Sequence, residues 1–137
     1  MSTPIPSKLI FLSDLPTHKA RDKVRFLACV ETYDPVLGLL HCTHAYPRAS
    51  TPVIAHIQVN LVLESLTHAL LQTGAWLNVI GYVAERPPGR NPYGGVRATR
   101  LPGARSVFVQ AVVVWEAGEV AVAQYERALE GRKACAI

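Results

Sequence analysis

Between Lys23 and Tyr33 the chain reads KVRFLACVETY, and Val24, Phe26, Ala28 and Val30 fall on every second position. A period of two puts that set on one side of a strand and Arg25, Leu27, Cys29 and Glu31 on the other, the mark of a sheet with one covered face. This run constrains the fold more than any other feature. Asp34, Pro35 and Gly38 then supply turn chemistry. LLHCTHAY returns as a second strand, so residues 23–46 read as a hairpin. PRASTP breaks the chain, and VIAHIQV, rich in β-branched side chains, is a third strand.

The period changes in NLVLESLTHALLQTG, where Leu63, Leu66 and Leu70, flanked by Val62 and Ala69, recur three or four apart. That spacing predicts a helix, with Asn60 as its N-cap and Gly74 at its end. AWLNVIGYVAE is a fourth strand carrying Trp76, Asn78, Ile80 and Tyr82 on one side. Gly81 in its middle marks a bend or bulge of the kind that closes a small barrel. SVFVQAVVVWE is a fifth strand, apolar at nearly every residue and expected to be covered on both faces. Residues 118–133 are helical again, with a stripe of Ala121, Val122, Tyr125, Ala128 and Leu129 and an expected end at Gly131. Three strands, a helix, a strand, a long loop, a strand and a terminal amphipathic helix is the order of the OB-fold, a five-stranded Greek-key barrel. One domain over residues 1–137 is expected, its barrel spanning 7–116. A five-stranded SH3-like barrel is the rival, but it leaves the helix before the fourth strand unexplained.

Charge is distributed unevenly along this barrel. Residues 86–105, RPPGRNPYGGVRATRLPGAR, hold five arginines and no carboxylate, while the rest of the chain has nine Lys/Arg against ten Asp/Glu. The net charge of +4 therefore resides in one loop, and such asymmetry favours an anionic partner, nucleic acid above all. In an OB-fold this segment is the loop between the last two strands, at the rim where such barrels track single strands. Arg86, Arg90, Arg97, Arg100 and Arg105 are expected to meet phosphates, with Tyr93 as a stacking platform. Arg21, Lys23 and Arg25, preceded by Lys19, form a second basic cluster; the alternative reading is protection of a strand edge. The alternative for the loop is a solvated insertion.

Nothing in the sequence calls for catalysis. Carboxylates are scattered singly, and phosphate-loop, dinucleotide and nucleophile-elbow motifs are missing. His41 and His44 point to opposite faces of a strand, and Cys42 with His44 makes two ligands rather than a site. No metal and no cofactor are expected. Cys29, Cys42 and Cys135 are odd in number and far apart, as in a reducing compartment. No run approaches a membrane span, and the N-terminus has no signal core; a soluble intracellular protein is expected. The terminal helix either folds back on the barrel or meets a helix of another chain.

SKLIFLSDLP, KVRFLACVETYDPVLGLLHCTHAYP, IQVNLVLESL and GAWLNVIGYV together resemble the fungal branch of the Ten-one family, the smallest subunit of the telomere-capping CST complex. The likeness spans roughly residues 7–85 and leaves the arginine loop outside. It implies an OB-fold that pairs with a larger Stn-one OB-fold subunit through C-terminal helices, making Ala121, Val122, Tyr125, Ala128 and Leu129 an intermolecular seam. It further implies association with the large CST subunit, protection of telomeric single-stranded DNA by binding, and a place in the nucleus at chromosome ends. Two alternatives share the fold: an interaction module without nucleic-acid contact, and the smallest subunit of replication protein A.

Overall fold

The computed structural model describes residues 6–46, 52–85, 105–118 and 122–135. Five long strands close on themselves: β2 (Lys23–Asp34), β3 (Leu39–Thr43), β4 (Val53–Gln58), β5 (Trp76–Ala84) and β6 (Arg105–Glu116). The sheet runs β2-β3-β4-β6-β5, and β5 pairs back onto β2 to complete the barrel. A two-residue strand β1 (Lys8–Leu9), which the sequence pattern did not suggest, adds in parallel to β2. β4 and β6 are also parallel, and the remaining neighbours are antiparallel.

Alternation in β2 does what its period requires. Leu12 and Leu15, on a 3-10 turn over Leu12–Thr17, join a barrel core in which Val24, Phe26, Ala28 and Val30 are buried with Leu40, Cys42, Ala55, Ile57, Leu77, Val79, Val109 and Ala111. The strand changes neighbours along its length. Its first half, Lys23–Cys29, pairs with β5 and its second, Cys29–Asp34, with β3, while β1 adds beside Val24 and Arg25.

Residues 60–74 depart from expectation. Instead of one α-helix they form two 3-10 turns, Leu63–Ser65 and His68–Leu71. Leu66 and Thr67 between them are extended, at ψ 128° and 162°, which breaks any continuous helical ladder. Val62 and Leu70 are buried in the barrel core, while Leu63, assigned to the inner stripe, is 53% exposed. Asn60 does not cap; its Oδ1 accepts a hydrogen bond from Gln110 Nε2 at 2.9 Å. Gly74 ends the segment at φ +92°, a conformation open to glycine without steric cost.

The bulge expected at Gly81 is present. Ile80 pairs with Val113 but Gly81 with Ala111, so Val112 is the extra residue on β6. Its effect is to exchange the faces of β6. Val109 and Ala111 point inward before it and Val114 after it, which turns Val113 out to 45% exposure. The last half of β6 is therefore not covered on both faces. Helix α1 spans Val122–Cys135 and runs through Gly131 rather than ending there. Among the described residues outside the helix's own backbone, nothing lies within 4 Å of a Cβ built at that glycine.

Candidate partner and nucleic-acid interfaces

Tyr125, Glu126, Leu129 and Lys133 recur three and four apart, and α1 meets its own barrel through this face, with Glu130 beside it. Leu129 is 3% exposed. Glu126 Oε2 lies 2.8 Å from Nε2 of the buried His44. The Tyr46 hydroxyl donates to the Glu130 carboxylate, a bond that raises the phenol's pKa. Lys133 Nζ donates to both oxygens of Asp14 at 2.9 and 3.1 Å and sits 5.2 Å from the Phe11 ring centroid. Tyr125 packs edge-on to Phe11 with ring centroids 6.4 Å apart. Nδ1 of His44 is buried with no hydrogen-bond partner among the described residues, and burial pushes the Tyr125 phenol pKa up, opposed by its approach to the Leu27 backbone.

The predicted stripe is thus divided by the fold. Leu129 is spent on the barrel, Val122 and Tyr125 are half-buried, Ala128 is exposed, and Ala121 lies outside the described residues. Residues outside the barrel-facing set, Ala123, Gln124, Arg127, Ala128 and Arg132, are exposed.

The barrel wall next to α1 carries features that the sequence pattern missed. The Arg25 guanidinium stands 5.0 Å from the Trp115 ring centroid, and Lys23 Nζ 5.9 Å from that of Tyr82. Register places Arg25 opposite Ile80, and Ile80 opposite Val113. Arg25 also acts on Tyr125, its positive charge opposing the upward push of burial. A run of three valines at 112–114 hides which of them faces outward, so the signal for this patch lies in the bulge at Gly81 alone.

Of the expected rim residues, Arg86, Arg90, Tyr93, Arg97 and Arg100 lie outside the described residues. Arg105 opens β6, exposed, with its backbone N–H donating to Pro52 O at 2.9 Å. Arg21 is an exposed turn residue at φ +78°, and its N–H donates to Val83 O at 2.7 Å. Arg105 and Val83 both line an open cleft of about 490 Å³ at this end of the barrel.

On the wall formed by β3, β4 and β6, His41 pairs with His56 and His56 with Phe108. The two imidazoles meet Nδ1 to Nδ1 at 2.7 Å, and His56 stacks on Phe108 with centroids 4.9 Å apart. Burial lowers the pKa of His41, with Asp34 opposing. Alternation in VIAHIQV already sets His56 with Ile54 and Gln58 on one face, but period alone does not show that this face is buried. Cys42 lies in the core, where burial raises its thiol pKa well above the ordinary range. Among the described residues no group of three or more His, Cys, Asp or Glu is placed to hold a metal ion, and no helix is long and apolar enough to cross a membrane.

A five-strand barrel closed by β2–β5 pairing, with 3-10 turns before β5 and a helix after β6, defines the OB-fold class. The chain belongs to the Ten1 family, described as telomere capping, CST complex subunit, whose model matches residues 1–130. A chain of the S. pombe Stn1-ten1 complex superposes with a TM-score of 0.65 at 22% identity, covering 97% of both chains. The telomere capping protein Ten1 of S. pombe gives 0.63 at 24% identity, over 95% of this chain and 100% of that one. Asparaginyl-tRNA synthetase of Entamoeba histolytica gives 0.55 at 15% identity, over 88% of this chain but 26% of its own. At these identities the structural matches speak for the fold. No curated protein sequence matches the chain.

Proposed function

We propose that this chain is the small, non-catalytic subunit of a telomere-capping complex. It pairs with a Stn1-type OB-fold subunit, joins the large CST subunit through that pair, and assists in holding telomeric single-stranded DNA in the nucleus. The observation that carries the pairing is the continuity of α1 with the wall beside it: Val122 and Tyr125 half-buried, Ala128 exposed, and Arg25 over Trp115 next to the outward Val113. Aromatic and arginine side chains of this kind are the usual energetic centres of protein interfaces. Arg25 on this reading serves the partner, not the DNA. Ala121 completes the seam at the start of the helix, and Leu129 acts indirectly by seating α1 on its barrel.

Co-expression with the larger subunit tests this. The reading expects a one-to-one complex that Arg25→Glu and Val122→Asp each weaken at least tenfold, with the barrel's thermal melt unchanged. Unaltered affinity in both variants refutes the seam. The DNA role rests on the one-signed segment 86–105 together with Arg21 and Lys23. Replacing Arg90, Arg97 and Arg100 by alanine is expected to weaken single-strand binding by the complex and flatten its salt dependence. An unchanged affinity and salt slope favour an interaction module without nucleic-acid contact.

A further inference from the structure

We propose that the cleft between the end of β5 and the start of β6 receives a single base of a DNA strand, with a flanking phosphate on Arg105. The inference rests on the DNA-binding role proposed above. At about 490 Å³ the cleft falls in the size range of small-ligand sites, which combine an apolar lining with a few polar groups. Pro16, Val83 and Phe108 contribute apolar lining, and His18, Ser106 and Glu85 the polar groups. That combination suits a nucleobase, which has two apolar faces and a hydrogen-bonding edge.

One ring nitrogen of His18, a lining residue, is already engaged. Its Nδ1 lies 3.3 Å from Asp22 Oδ2, and that same oxygen accepts the Lys19 backbone N–H at 3.0 Å. A carboxylate only accepts, so the His18 proton sits on Nδ1. Nε2 is then the nitrogen left to meet a base. Glu85, the one carboxylate among the described residues lining the cleft, accepts from an exocyclic amino group.

Connectivity supplies the second argument. Glu85 and Arg105 both line the cleft, and the chain between them carries Arg86, Arg90, Arg97 and Arg100 with no carboxylate. The sequence thus joins two lining residues through a segment that holds four arginines. An acidic strand presenting bases matches that pairing of charge and apolar lining; a neutral metabolite or a basic peptide does not.

The test uses the complex with the larger subunit and telomeric-repeat single strands bearing 5-iodouracil at one position each, photo-cross-linked and mapped by mass spectrometry. Cross-links to Phe108 or His18 are expected from one register of the strand. Ser106→Trp, at an exposed lining position, is expected to remove them and weaken binding at least about fivefold, the low end for loss of one stacked base. Cross-links confined to other surfaces overturn the proposal, and that result needs no variant to fold. If Ser106→Trp binds as tightly as the parent while the triple arginine variant weakens, the cleft is refuted and the DNA role stands. If neither variant changes binding, the DNA role fails and takes the cleft with it. Loss of the partner subunit without loss of DNA by Ser106→Trp assigns the cleft to protein and also overturns it.

Discussion

A methyl group added at Gly81 meets β6 head-on. A Cβ built there lies 2.4 Å from Gln110 O, 2.9 Å from Val109 Cγ1 and 3.0 Å from Gln110 C. Ordinary contact begins near 3.4 Å, so Gly81→Ala requires roughly 1 Å of separation between two backbones in the barrel wall, and backbone cannot swing aside as a flexible side chain does. Overpacking of a rigid site costs about 1–3 kcal/mol, and here the upper end applies because the obstruction is a carbonyl within the ladder. For 137 residues, an unfolding entropy of about 2.1 cal/mol/K per residue turns 3 kcal/mol into a fall of about 10 °C in melting temperature. The same shift loosens the bulge that turns Val113 and Trp115 outward, so affinity for the larger subunit is expected to fall along with stability. Urea and thermal melts of the isolated variant, with a pull-down of the partner, measure both. A melting temperature within about 2 °C of the parent refutes the close-approach argument, since a clash so close cannot be relieved without cost.

Gly131→Ala is expected to act in the opposite direction. The position lies inside α1 with open space around it among the described residues, so the gain is the helix propensity alone, about 0.5–1 kcal/mol in urea denaturation. Leu129→Ala removes the buried apolar anchor of α1 and is expected to weaken its docking by about 2–3 kcal/mol. Hydrogen exchange is the measurement, with amides of residues 122–135 losing protection and those of β2–β6 keeping it. His41 makes stability depend on pH. Burial lowers its folded pKa from the ordinary 6.5, so the unfolded chain takes up the proton first and stability present above pH 6.5 is lost as pH falls below it. Denaturation at pH 7.5 and 5.5 is expected to show a smaller loss in His41→Gln than in the parent.

Legibility in the sequence followed the range of the interactions. Strand β2 was readable because its alternation is local and its apolar set of Val24, Phe26, Ala28 and Val30 is the set the barrel buries. Gly81 was readable for a similar reason, since a glycine inside a strand has few other uses. The segment before β5 misled because leucines three and four apart also serve two separate turns. Val62 and Leu70 are drawn to the barrel, and no local rule records that pull. At α1 the stripe was visible but its allegiance was not. Glu126 meets His44 and Lys133 meets Asp14 across 82 and 119 residues of chain.

The order of strands, the one-signed segment and the existence of a terminal helix were therefore set by the amino-acid sequence, through period, turn chemistry and charge that act between near neighbours. Which face of β6 looks outward, where Arg25 points and which residues of α1 remain for a partner were decided by tertiary structure. Those depend on one extra residue at a bulge and on contacts between segments that meet only when the barrel closes.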